Sequence, residues 1–160
     1  MRGCLRTFLA AFATAVGLVA PILRAQAPVT PIARTGDNAL DYSGGLLGFT
    51  YHSVQVPFTA TAGNAGSVSA IAFQGVLAGA GSSVNEGIWA GTPGDLRLAA
   101  REGDATPGIA GGTFDILSRP QVDASGRVAF WASYNGSPVN HGIWAGLPGS
   151  VSLVAHTSMT

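Results

Sequence analysis

Asn85-Glu86-Gly87-Ile88-Trp89-Ala90-Gly91 returns as Asn140-His141-Gly142-Ile143-Trp144-Ala145-Gly146, at an offset of 142 − 87 = 55 residues, and this recurrence decides how the rest of the chain is read. The match continues without a gap: Pro93-Gly94 against Pro148-Gly149, Leu98 against Leu153, Ala100 against Ala155. Between residues 85 and 100, 10 of 16 positions are identical to their counterparts, which chance does not supply in a segment containing Trp. Self-similarity at a fixed period is the mark of a repeat architecture. Upstream, Ile71-Ala72-Phe73 pairs with Val128-Ala129-Phe130, and Ala33-Arg34-Thr35-Gly36-Asp37 with Ala100-Arg101-Glu102-Gly103-Asp104. The longer spacing in the first copy implies extra loop residues between Asp37 and Phe73. Val154-Ala155-His156-Thr157 opens the Ala-Arg pattern again, with His156 in the place of Arg. The expected organisation is therefore a first repeat over 31–95, a second over 96–150 and the start of a third over 151–160.

The second copy offers four short strands, at residues 96–101, 113–117, 127–134 and 142–145. Val128, Phe130 and Ala132 alternate with Ala129 and Trp131, the period of a strand with one buried face. Turn chemistry separates the strands: Thr106-Pro107-Gly108, Asp123-Ala124-Ser125-Gly126, Asn135-Gly136-Ser137-Pro138 and Pro148-Gly149. Asn135-Gly136 is a hairpin signal because both residues tolerate positive φ. With 23 Gly and 9 Pro, breakers recur too often for long helices beyond the leader, and short strands joined by turns fit better. The expected fold is all-β: tandem four-stranded antiparallel repeats resembling the blades of an incomplete β-propeller. A sheet with an apolar face needs a neighbour, so further repeats are the first partners expected.

Hydrophobic residues make up 47% and charged residues 10%, a balance that favours a packed chain over a disordered one. There is no Lys; Arg2, Arg6 and Arg24 fall in the first 27 residues, leaving five Arg against eight acids, 5 − 8 = −3. Without a basic cluster, nucleic acid is not expected as a partner. The first 27 residues read as a signal peptide with an apolar helix: Arg2 and Arg6 at the start, an apolar run over 8–23, and Ala25-Gln26-Ala27 before Pro28 as the cleavage pattern. An uncleaved leader would be the chain's one contact with a membrane. Cys4, the single cysteine, precedes the apolar run, so no disulfide or thiolate site is expected beyond it.

Asp123-Ala124-Ser125-Gly126-Arg127-Val128-Ala129-Phe130 resembles the NxxGxxAF repeat of bacterial tandem-repeat proteins described as choice-of-anchor proteins, with Asp123 where that motif has Asn. In the first copy, Asn64-Ala65-Gly66 is set apart from Ala72-Phe73 by additional residues. The Gly-Ile-Trp and Ala-Arg-x-Gly-Asp segments are similar to the same family, over roughly residues 31–155. The resemblance implies an exported repeat architecture at the cell surface and no particular activity.

Trp89 and Trp144 hold matching positions and are expected in the core. Trp131 matches Gln74 and follows Phe130, so it faces the other way and is a candidate aromatic for ligand contact. Trp131, Tyr134 and His141 form the candidate ligand-binding set, with glycans or other surface proteins as partners. Arg34-x-x-Asp37 and Arg101-x-x-Asp104 read as structural turns or as ties between neighbouring repeats. Asp37, Asn38 and Asp41 cluster, yet calcium needs six to eight oxygen ligands and the second copy lacks them, so no metal or cofactor is expected. Asn85 and Asn140 satisfy backbone groups at strand entrances, and His52 and His156 have no metal-ligand spacing to His141. Nucleophile elbow, phosphate loop and zinc-protease motifs are missing. The expected role is non-catalytic: a structural or adhesive module, a fragment of a longer exported protein. A carbohydrate- or small-ligand-binding propeller is the alternative, and a carboxylate-dependent hydrolase a more distant one.

Overall fold

The computed structural model describes residues 31–55, 57–61, 68–135 and 140–157. The leader at 1–27, the segment Asn64-Ala65-Gly66 and the Gly136-Ser137-Pro138 part of the hairpin turn lie outside the described residues. Ten strands follow one another: β1 (Asn38–Leu40), β2 (Leu46–Val54), β3 (Phe58–Thr61), β4 (Val68–Ala78), β5 (Glu86–Thr92), β6 (Asp95–Arg101), β7 (Phe114–Val122), β8 (Val128–Tyr134), β9 (Asn140–Gly146) and β10 (Ser152–His156). They form two antiparallel sheets. The first has the order β1-β2-β4-β5-β6, with β3 also on β4; the second has the order β10-β9-β8-β7. Among the described residues no helix is long and apolar enough to cross a membrane.

Pairing places the boundary between sheets one strand away from the cut drawn on the sequence. Residues 96–101 belong to β6 and hydrogen-bond to β5, closing the first sheet; residues 152–156 form β10 and close the second against β9. A self-match establishes a period without a phase, and only the hydrogen-bond ladder sets where a unit ends. The stretch between Asp37 and Phe73, where the longer spacing implies extra loop residues, holds β1, β2, β3 and the start of β4. Val54 pairs with Gly75, Gln55 N–H donates to Gln74 O, and Phe58 pairs with Ala72, so β2 and β3 are two halves of one line along β4, broken near Pro57. β7 runs to Val122, past the expected end at 117, and includes Pro120. It is an edge strand with register shifts on both sides of Leu117–Ser118, and Arg119 sits at φ 57, so a proline's missing N–H is tolerated there.

The two sheets carry matching aromatic trios. Phe73 stacks on Trp89 at 5.8 Å and 17°, with Tyr51 edge-on to Trp89 at 4.9 Å; Phe130 stacks on Trp144 at 6.2 Å and 17°, with Phe114 edge-on at 5.0 Å. Trp89 Nε1 donates to Leu40 O at 2.8 Å and Trp144 Nε1 to Pro107 O at 3.0 Å. Both indoles are fully buried. Gly36 and Gly103 N–H donate to Tyr51 O and Phe114 O, and those residues return a bond to Asp37 O and Asp104 O. The indoles impose a glycine two residues earlier. A Cβ on Gly87 would stand 2.5 Å from Trp89 Cη2, and one on Gly142 would stand 2.6 Å from Trp144 Cη2. Gly142→Ala therefore overpacks a rigid ring, and thermal unfolding followed by circular dichroism is expected to show a loss of about 1–3 kcal/mol. A variant as stable as the parent would contradict this.

One cluster joins the sheets. Ala72, Ile88, Ala90, Ala99 and Ala100 of the first pack with Phe114, Leu117, Val128, Phe130, Ala132, Tyr134 and Trp144 of the second. β7 makes the closest backbone approach, running over β3, β4, β5 and β6. The opposite face of the first sheet buries Tyr51, Ile71, Phe73, Leu77, Trp89 and Leu98 in a second cluster.

Candidate functional site

Strand alternation divides β8 between two faces: Phe130, Ala132 and Tyr134 look toward the first sheet, Trp131 and Ser133 away from it. On this outer face Trp131 lies opposite Ile143, and Ser133 opposite His141. The Trp131 ring stacks on the His141 ring at 4.9 Å and 27°. Ser133 Oγ donates to Asp115 Oδ2 at 3.2 Å and accepts Ile116 N–H at 3.0 Å, which ties the neighbouring edge strand. The backbone N–H of His141 donates to Thr157 Oγ1, and Thr157 N–H to His141 O. Trp131 and His141, with Gly142, Ile143, Ala155, His156 and Thr157, line a shallow, mostly apolar cavity of about 240 Å³. The matching positions on the first sheet hold polar chemistry instead: Gln74 Nε2 donates to Glu86 Oε2 at 3.1 Å.

Tyr134 does not join Trp131 and His141. It is buried on the inner face, edge-on to Trp144 at 6.0 Å, and its hydroxyl bonds His156 Nδ1 at 3.2 Å. The physical reason is parity: Tyr134 stands an odd number of positions beyond Trp131 on the same strand, so the side chains take opposite faces. Its ring belongs to the core.

A second cleft, of about 580 Å³, opens where the loop before β2 meets the segment after β6, with Tyr42, Leu47, Pro107, Phe114 and Val151 on its walls. The Tyr42 hydroxyl donates to Asp104 Oδ2 at 2.5 Å, and Arg101 Nη2 donates to Asp104 Oδ1 at 2.9 Å. Desolvation and the Asp104 acceptor both push the Tyr42 hydroxyl above the ordinary tyrosine range. The first copy of the motif is built differently: Asp37 Oδ2 accepts the backbone N–H of Arg34. Tyr42 carried no signal in the sequence, because its partner is 62 residues away.

Other carboxylates are occupied by the chain itself. Asp41 Oδ1 accepts Ser43 Oγ at 2.7 Å and the N–H groups of Ser43 and Gly45, and these bonds, led by the Ser43 hydroxyl, hold its carboxyl below the usual range. Asp123 Oδ1 accepts Ser125 and Arg127 N–H in the turn read from the sequence. Glu102 Oε2 takes the N–H groups of Asn85 and Glu86; desolvation, then the nearby Glu86 and Asp115 charges, push its carboxyl upward. Among the described residues no group of three or more His, Cys, Asp or Glu could hold a metal ion.

Comparison with curated proteins and with solved structures finds no match. A family model does match, over residues 15–158, which takes in both sheets and both aromatic trios. The chain accordingly belongs to a family of unknown function, DUF7453.

Proposed function

We propose that the chain is a non-catalytic structural module, exported to the cell surface, whose two sheets are tandem propeller-like repeats that stack face to face. The single observation carrying this reading is the contrast between Ile88 and Ile143. They occupy the same position in the same seven-residue motif, yet Ile88 is fully buried under the second sheet and Ile143 is 45% exposed. One face is filled by a neighbouring sheet and its counterpart is bare, as in a linear array. Residues 123–130, with their resemblance to exported NxxGxxAF repeats, and the leader at 1–27 support the cell-surface part. Expression of the full chain in a bacterial host, followed by mass spectrometry of exported product, tests it. A product beginning near Pro28 is expected; an intact chain confined to the cytosol would remove the export reading.

A second reading rests on the Trp131–His141 pair. An aromatic shelf beside a shallow apolar cavity suits the face of a sugar ring. Glycan-array binding by the full chain, lost in Trp131→Ala, is the expected result for that reading. An array without signal for the folded protein would dismiss it.

A further inference from the structure

We propose that the outer face of the β7–β10 sheet is the seat of one further four-stranded sheet of this same repeat, which presents its own aromatic trio to it. The proposal rests on the stacked-module reading above and names what completes the stack. Its ground is an equivalence at four positions and one bulge between a filled face and an empty one, with Trp131 and His141 standing where the first sheet has Gln74 and Glu86. On the first sheet the receiving surface is Ala72, Ile88, Ala90 and Ala100, packed in one cluster with Phe114, Phe130 and Trp144. On the second sheet the same places hold Ala129, Ile143, Ala145 and Ala155. Even the irregularity is kept: Ile88 pairs with Ala100 and Trp89 with Leu98 across a bulge at Ala99, while Ile143 pairs with Ala155 and Trp144 with Leu153 across a bulge at Val154. The bulged residue is 2% exposed in the first case and 59% in the second.

Chemistry narrows the occupant. Ala129, Ala145 and Ala155 surround Ile143 with the same small residues that receive the aromatic rings on the filled face, and the stacked Trp131 and His141 rings beside them add aromatic surface. β8, β9 and β10 carry no Asp, Glu, Lys or Arg, and Asp115 on the edge strand β7 is held by Ser133 Oγ, so the middle of the face is uncharged. Ile116 on β7, at 52% exposed, and Val154 on β10, at 59%, carry the apolar area toward both edges of the sheet. That is more exposed aliphatic surface than a solvated sheet face of alternating polar residues would hold. The one surface known to fit this pattern of residues is the aromatic face that already covers the first sheet.

The test uses the whole chain with Cys4→Ser and Ile143→Cys, and the reaction rate of the thiol at 143 with a maleimide as readout. A second copy of residues 103–157 is joined directly after Thr157, the junction that Glu102–Gly103 makes between the two internal units. The fused copy is expected to slow labelling at least tenfold relative to the unfused chain. Changing Phe130→Ala and Trp144→Ala in the added copy alone is expected to restore the fast rate. Labelling that is equally fast with and without the intact added copy overturns the proposal. Slow labelling of the unfused chain that speeds up on dilution would assign the face to a second copy of the chain instead. Protection of the unfused chain by phosphatidylcholine vesicles would assign it to a lipid surface. These last two results also overturn the proposal. Its failure leaves the internal stacking of the two sheets untouched, because Ile88→Asp measures that separately.

Discussion

Ile88→Asp is expected to unfold the chain or lower its Tm by more than about 10 °C, while Ile143→Asp leaves it within about 2 °C. The two substitutions are chemically identical and fall on matching residues of one motif. At 88 the side chain is fully buried among Ala72, Ala90, Ala100 and the aromatic face of the second sheet. A carboxylate there gives up about 1.5–3 kcal/mol of apolar burial and adds the cost of an unpaired buried charge, about 3–5 kcal/mol. Few domains have that much stability to lose. At 143 the side chain is 45% exposed and the carboxylate stays in water, where substitutions usually change stability by about 0.5 kcal/mol or less. Thermal unfolding by circular dichroism, with size-exclusion chromatography to report compaction, separates the two. Equal effects at the two sites would refute the stacking of the sheets and with it the module reading.

Truncating either core indole has the next largest consequence. Trp89→Ala and Trp144→Ala are each expected to cost about 3–5 kcal/mol in urea unfolding. Each removes a fully buried ring from a trio and leaves a carbonyl, Leu40 O or Pro107 O, without its Nε1 donor. The Pro107 bond matters for more than the second sheet, because that residue also lines the cleft closed by Tyr42 and Asp104. Trp131→Ala serves as the internal control: its ring is half-buried on the outer face against His141, and a loss near 1 kcal/mol or less is expected. If all three tryptophans cost the same, the division between core and outer face is wrong.

Much of this molecule was legible along the chain. The alternation in 127–132 identified both a strand and its buried face, because side-chain parity in a strand is a local property. The Asp123–Gly126 turn followed from its residues, because the carboxylate reaches the N–H groups two and four positions on. Trp131 and His141 were both named from the sequence, and the structure brings them into contact; Tyr134 was named with them although the same parity rule sends it inward. Arg101 and Asp104 were read from the sequence as a turn or a tie, but Tyr42 was not visible as their partner, since its contact depends on a loop from one sheet meeting a turn of the next.

By itself the sequence determined that this chain is β-rich, that Gly-Ile-Trp occurs twice in one setting, and which residues of each strand share a face. These follow from neighbours within a few positions, where backbone preference and side-chain parity act. Tertiary structure alone decided that β6 ends the first sheet and β10 the second, and that Ile88 is covered while Ile143 is bare. Hydrogen-bond pairing and burial are set by partners far along the chain, and identical local motifs carry no record of what lies across from them.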